Sequence, residues 1–210
     1  MVAYIIVGLI AYLLGSISFS VIISKKMAGF DVREKGSGNA GSTNVLRSVG
    51  KKAAALTLLG DVLKGVVAIL IAFILGLIIG EENISRALLV QIAGFFVILG
   101  HTFPVFFKFK GGKGIATALG ILIITNWQIG LICLVFALII MAATKMVSLG
   151  SIMAAVLFPI LVIFVPHNAY IADGNYIIYS LILAALVIFN HRENVKRLLE
   201  GKENKLSFKK

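Results

Sequence analysis

The chain alternates long apolar blocks with short polar ones, and the blocks are uniform rather than striped. Apolar runs near 4–23, 53–79, 86–103, 114–126, 129–143, 147–165 and 175–190 read as membrane spans. The fourth and fifth are short, yet one helix over 114–143 would run ~45 Å against a hydrocarbon core of ~30 Å. The polar break "TNWQIG" places Thr125, Asn126 and Trp127 where a turn is needed, so two short, tilted helices are predicted there. The expectation is an all-α integral membrane protein of seven transmembrane helices, forming a single domain over 1–210.

Composition agrees with this reading. Of 210 residues 60% are hydrophobic and 14% charged, and the mean hydropathy of +1.03 excludes a soluble domain. The first run is no cleaved signal peptide, because no cation precedes it and Lys25 and Lys26 follow it. A net charge of +11 on a soluble surface would suggest nucleic acid. Its distribution speaks instead for topology, with no nucleic-acid partner. Seven cations fall in 24–52, three in 104–113, one in 144–148 and seven from His191 onward, 18 of 20 in all. The positive-inside rule makes that side cytoplasmic, with the N-terminus outside and the C-terminus inside. Fusing the fourth and fifth spans would send the basic tail outside. The lone Cys133 excludes an intrachain disulfide and a Cys-based zinc cluster, and the few cytoplasmic carboxylates argue against a metal site.

Three cytoplasmic segments hold the unusual polarity. "EKGSGNAGSTNVLRSVGKK", 34–52, contains GxGxxG at Gly36, Gly38 and Gly41, but no βαβ unit surrounds it to bind a dinucleotide. Ser37, Asn39, Ser42, Thr43 and Asn44 add hydroxyls and amides between the glycines, and Arg47 adds a bidentate fork for phosphate. A loop needing only positive charge would not need those groups. In "GHTFPVFFKFKGGKGIAT", 100–117, Gly111, Gly112 and Gly114 are expected to let backbone amides approach a ligand. Lys113 and the positive end of the next helix complete an anion site there. The GxxxxGK[ST] spacing of a nucleotide loop is missing. His101 is either a donor at the end of the third span or a packing histidine. In "FNHRENVKRLLEGKENK", 189–205, His191 and Asn194 share a face if the last span continues as a helix, and Glu203 follows. Asp61 and Lys64, three apart inside the second span, are expected to pair and brace the site. The outer loop with His167 and Asp173 faces no second polar set.

"GSGNAGSTNVLR", "DVLKG", "GHTFPVFFKFKGGKGIAT" and "NHRENVKRLLEGKE", in this order, resemble the bacterial acyl-phosphate:glycerol-3-phosphate acyltransferase family over essentially the whole chain. The resemblance implies transfer of a fatty acyl group from acyl phosphate to the sn-1 hydroxyl of glycerol 3-phosphate. The products would be lysophosphatidic acid and phosphate, with no cofactor. It places essential Ser and Arg at Ser37 and Arg47, and head-group binding at Gly111, Gly112, Lys113 and Gly114. The third motif's His and Asn fall at His191 and Asn194, and a structural Glu at Glu203. It implies a bacterial cytoplasmic membrane, a cytoplasmic active site, and coupling to a soluble enzyme that makes acyl phosphate. The chain departs from the family in reading "GSISFS" where members often have "GSIPFG", and Ser42 where they often have Ala. Neither change removes a catalytic group. The general base is His191 or a phosphate of the substrate itself.

Two other classes compete. A transporter or binder of a phosphorylated solute needs polar spans and a site at both mouths, and here the outer loops lack one. A lipid-recognising anchor needs charge but not the glycine and amide pattern. The His-x4-Asp pair of coenzyme A-dependent acyltransferases and the aspartate array of alcohol phosphotransferases are absent.

Overall fold

Lipid rewards an apolar exterior, so polar and small residues of a membrane bundle turn inward. Helix α4, Lys51–Ile79, shows the sorting most clearly. Its buried face carries Ala53, Thr57, Gly60, Asp61, Lys64, Gly65 and Ala68 at three- and four-residue spacing, while Leu56, Leu59, Leu63, Leu70, Ile74 and Leu77 are exposed. The computed structural model describes residues 1–80, 82–166 and 175–206. The predicted loop with His167 and Asp173, and the terminal Lys209 and Lys210, lie outside them.

Among the described residues the chain begins with α1, Val2–Gly15, and α2, Phe19–Ala28. The short α3, Ser42–Ser48, precedes α4, and α5, Arg86–Thr102, packs against α1 and α4. Then come α6, Ile115–Thr125, α7, Trp127–Thr144, and α8, Val147–Phe164. Last are α9, Tyr176–Asn190, and α10, Arg192–Leu199. Each of the seven apolar runs contains helix. Among the described residues five spans have the length and apolarity to cross a bilayer, or six if α9 and α10 count as one bent span. Helix α6, at 11 residues, is ~16 Å long and falls short of a ~30 Å core.

The break between α6 and α7 lies where the polar residues put it. Asn126 ends one helix and caps the next, its Oδ1 accepting from the Ile129 amide at 3.1 Å. Two other predicted boundaries are corrected. The run 4–23 is not one helix, because the chain breaks over 16–18. The freed carbonyls of Gly15 and Ile17 accept from Lys64 Nζ at 3.0 and 2.9 Å, so a cation from α4 stabilises the break. Nor does α9 run on as a straight helix, since the chain bends by 64° between α9 and α10 at His191. The bend turns α10 off the axis of α9.

Helix α6 is clamped to α4 by reciprocal small residues. A Cβ on Gly65 would lie 2.4 Å from the Thr117 carbonyl oxygen, and one on Gly120 would lie 2.1 Å from that of Val62. This close approach fixes where α6 begins, and the chemistry gathers at that end.

Candidate active site

The loop before α3 is built around one amide. Asn44, 2% exposed, donates through Nδ2 to the carbonyls of Val32, Lys35 and Asn39 at 2.9–3.0 Å, and its Oδ1 accepts from the Ser37 amide at 3.0 Å. Gly36 has φ +58°, and a Cβ there would lie 2.2 Å from Asn44 Oδ1. Asn44, expected to touch substrate, is the loop's frame and also lines the cleft beside it. The frame leaves Ser37 and Arg47 exposed at the rim of a cleft. Asp31 and Arg33, which the sequence reading did not single out, tie this loop to the next. Arg33 bonds Asp31 through Nε at 3.0 Å and Nη2 at 2.7 Å, and Nη1 donates to the carbonyls of Phe107 and Lys110. The Arg33 hydrogen bond holds the Asp31 carboxyl down at about 2, against the opposing effect of burial.

The glycine turn departs from expectation. The amides of Gly111 and Gly112 donate back to the carbonyls of Thr102 and His101, at 3.1 and 3.0 Å. They satisfy the end of α5 and are not free for an anion. A Cβ on Gly111 would lie 2.0 Å from the His101 carbonyl oxygen, and one on Gly112 would lie 2.2 Å from His101 Nε2. These glycines are needed to lay the turn on α5. Gly114, φ +87°, then starts α6, whose first-turn amides face no intrahelical partner. The donors available to an anion here are Lys113 and that helix start.

Beneath the turn lies a buried triad. Lys64 Nζ is 2.9 Å from Asp61 Oδ1, and His101 Nδ1 is 3.4 Å from the same oxygen. All three are at least nine-tenths buried. His101 packs between this carboxylate and Gly112, so its position is that of a support for the turn.

The bend at His191 brings the third segment over the other two. Lys113 Nζ donates to Asn194 Oδ1, Asn194 Nδ2 donates to Glu203 Oε1 at 2.9 Å, and Arg197 Nε donates to Glu203 Oε2 at 3.1 Å. Glu203, 8% exposed, thus anchors the tail and orients both neighbours. Arg47 Nη2 reaches the Asn204 carbonyl at 3.4 Å, and the Leu206 amide donates to the Lys145 carbonyl at 2.7 Å. His191 Nδ1 lies 2.8 Å from the Val187 carbonyl, which can only accept, so Nδ1 carries the hydrogen. Burial pushes the Lys113 ammonium down to about 8, helped by Arg197 and Arg47 and opposed by Glu203.

A cleft of about 660 Å³ joins the three segments. Ser37, Gly38, Asn39, Thr43, Arg47 and the whole 111–114 turn line it, as do Asp61, His101, His191, Asn194 and Glu203. Gly36 and Lys64 stand behind it. Arg197 and Ser148 are among the lining residues that the sequence did not single out. Arg197 was counted only toward topology. Ser148, in the first turn of α8, presents a buried hydroxyl with no hydrogen-bond partner among the described residues. Its one sequence signal was a serine opening a span just after Lys145. No group of three or more His, Cys, Asp or Glu side chains suited to a metal occurs among the described residues.

A helical membrane protein whose loops converge on a cleft rich in cations is the class that fold and site define. Residues 5–201 match the family model for glycerol-3-phosphate acyltransferase, and the chain belongs to that family. It is 47% identical to the glycerol-3-phosphate acyltransferase of Clostridioides difficile, over 99% of this chain and 98% of that protein. It is 44% identical to that of Neisseria meningitidis serogroup C, over 94% of each. Among solved structures it is similar to PlsY (YgiH), an integral membrane glycerol 3-phosphate acyltransferase. The glycerol 3-phosphate form superposes with a TM-score of 0.84 at 36% identity, covering 97% of this chain and 96% of that one. The lysophosphatidic acid form gives 0.82 at 34% identity, covering 97% and 95%. This chain is accordingly a multi-pass membrane acyltransferase.

Proposed function

We propose that the chain transfers an acyl group from acyl phosphate to the sn-1 hydroxyl of glycerol 3-phosphate in the bacterial cytoplasmic membrane. The observation that carries this reading is the charge around Lys113. Five cations, Arg47, Lys110, Lys113, Arg192 and Arg197, line the cleft against three carboxylates, Asp61, Glu193 and Glu203, and Glu203 orients Arg197 directly and Lys113 through Asn194. Such an excess of positive charge suits two phosphorylated substrates.

An acyl phosphate is a mixed anhydride, so its leaving group needs no covalent relay. The glycerol hydroxyl oxygen attacks the acyl carbon, the bond from that carbon to the phosphate oxygen breaks, and inorganic phosphate departs. The protein's work is to hold two anions together and to stabilise charge on the departing phosphate. Arg47 and Lys113 supply that charge, Asn194 and Glu203 hold Lys113 in place, and Ser37 and the start of α6 offer further donors. The hydroxyl proton passes either to His191, whose Nε2 is the nitrogen left open, or to a substrate phosphate. A pH–rate profile of His191→Ala separates the two.

The 18-of-20 cation bias supports seven crossings with the N-terminus outside and the cleft in the cytoplasm, α6 and α9 crossing as tilted or bent helices. A soluble enzyme that makes acyl phosphate would then supply the donor from the same side. The test incubates purified protein with labelled glycerol 3-phosphate and either acyl phosphate or acyl-coenzyme A, with and without chelator. Lysophosphatidic acid is expected from acyl phosphate only, chelator or not. Comparable turnover with acyl-coenzyme A would overturn the donor assignment.

A further inference from the structure

Residues 103–110 join α5 to the glycine turn, and their surface is unusual. Phe103, Val105, Phe106 and Phe109 are exposed, Phe106 by 60% and Phe109 by 56%, and Lys108 and Lys110 are exposed among them. Lys108 and Phe109 have left-handed backbone, φ +57° and +56°, which bulky side chains rarely adopt. That conformation is held from within the protein. Arg33 Nη1 donates to the carbonyls of Phe107 and Lys110 at 2.7 and 3.1 Å, so one guanidinium closes the turn that leaves Phe109 outside. Other backbone groups of the loop are used too. The Tyr12 hydroxyl donates to the Phe103 carbonyl at 2.8 Å, and the Val105 amide donates to Ser16 Oγ at 3.3 Å. The amides of Phe107 and Phe109 donate to the Pro104 carbonyl at 3.0 Å, and that of Lys110 to the Phe107 carbonyl at 3.4 Å. A loop in water need not spend its backbone in this way, and gains nothing from exposed phenylalanines.

We propose that this loop is inserted in the bilayer, with Phe106 and Phe109 in the acyl boundary of the leaflet on the cleft's side. The inference rests on the membrane fold and not on the choice of acyl donor. Irregular backbone survives at membrane depth only where its polar groups are satisfied within the protein, and here Arg33, Tyr12 and Ser16 satisfy them. The depth agrees. Helix α5 has 17 residues, ~25 Å, short of a ~30 Å core, and the apolar stretch that starts at Arg86 continues to Phe107. The loop thus lies where the core gives way to headgroups, a level at which lysine stems can reach phosphate from an apolar surface. It also continues the exterior of the bundle, because Tyr12, which holds Phe103, is followed on α1 by Leu13, exposed like Leu9 before it. Phe103, Phe109 and Lys110 line the cleft as well, and Lys113 follows directly. The depth of the loop is therefore the depth of the cleft.

The experiment reads tryptophan emission. Trp127, the one tryptophan of the chain, is replaced by Phe, and Phe106→Trp and Phe109→Trp are made in that background. Ile139→Trp, at an exposed position of α7, and Lys202→Trp, in the polar tail, serve as lipid and water controls. Each full-length protein is placed in nanodiscs of phosphatidylcholine and phosphatidylglycerol, which leave both faces open to solvent. One set contains phosphatidylcholine brominated near the headgroup end of its chains, and the other receives acrylamide in the buffer. Brominated lipid should remove most of the emission of both loop variants, as of Ile139→Trp, and acrylamide should remove little. Lys202→Trp should respond the opposite way. Quenching of the loop variants by acrylamide as strong as that of Lys202→Trp, with none by bromine, would put the loop in water. Little quenching by either would put protein over it, a second copy of the chain included. Either result overturns the proposal. Tryptophan keeps the aromatic bulk, and Phe106→Trp decides alone if Phe109→Trp, at the cleft wall, fails to fold.

Discussion

Two lysines lie near each other in this fold, and their surroundings differ. Lys64 is 5% exposed, paired with Asp61 and bonded to two carbonyls, so its charge is balanced and its donors are used. Lys113 has an amide for a partner, and the carboxylate behind that amide is shared with Arg197. Its site keeps net positive charge facing a cleft. A buried ion pair whose cation spends its donors on a carboxylate and two carbonyls is a brace, whereas cations left in excess around an open space are a site for an anion. The glycine turn lies between the two, resting on the brace through His101 and presenting Lys113 to the cleft.

The largest expected effect tests the brace. Lys64→Met keeps the volume but leaves the Asp61 carboxylate buried with His101 alone, and orphans the carbonyls of Gly15 and Ile17. Breaking a buried pair in this way costs ~3–5 kcal/mol, so folded yield and Tm in detergent should fall sharply. Adding Asp61→Asn removes the stranded charge and should recover much of the loss. A single variant as stable as wild type would mean that the pair is not the brace described.

Arg47 is the corresponding test of the site. It is exposed and holds the fold by one 3.4 Å bond, so its removal should leave stability nearly unchanged. Arg47→Ala should lower kcat by about 10²–10³-fold, the usual loss for one such donor. Arg47→Lys should stay poor because an ammonium lacks the bidentate fork. An unfolded variant, or one with normal kcat and a raised KM alone, would contradict the division between brace and site.

The glycines come next, and they show where the sequence was and was not legible. The helix break at Asn126 could be read because a polar residue in lipid has few other uses. The break over 16–18 could not, since it is stabilised by Lys64 from α4, far along the chain. The phosphate-friendly segments were visible as composition. That the Gly111 and Gly112 amides are spent on α5 was not, because their partners are carbonyls, which every residue has. Arg197 and Ser148 were invisible for the related reason that only the 64° bend and the packing of α8 bring them in. The consequence is a prediction in two parts. Gly111→Ala should destabilise more than Gly112→Ala, because its Cβ would lie 2.0 Å from a backbone oxygen, whereas the other meets an imidazole at 2.2 Å and a backbone oxygen only at 2.9 Å. Overpacking of this kind costs ~1–3 kcal/mol. Both should also raise the KM for glycerol 3-phosphate, since Lys113 follows the turn. If Tm is unchanged while that KM rises, the glycines contact the head group directly and the reassignment fails.

The smallest effect is a pH limb, and its sign follows from Lys113. Burial and the neighbouring arginines have brought this ammonium down to about 8, so the empty cleft holds its charge below that pH and loses it above. Loss of the charge removes a partner for the incoming phosphate. Thus kcat/KM for glycerol 3-phosphate should be level on the acid side of about 8 and fall above it, by about tenfold per pH unit at most for one proton. A bound dianion favours the ammonium, so by linkage Lys113 titrates higher in the complex, and the limb in kcat should lie at higher pH than the limb in kcat/KM. Glu203→Gln removes the one contribution that opposes the arginines, and should shift the kcat/KM limb to lower pH. Lys113→Arg should abolish the limb in this range, because a guanidinium does not titrate there, even if its geometry lowers the rate overall. Lys64 offers the control. If a conservative change behind the turn, such as His101→Asn, moved the limb as far as Glu203→Gln does, the brace and the site would share one titration, and the distinction between the two lysines would be lost.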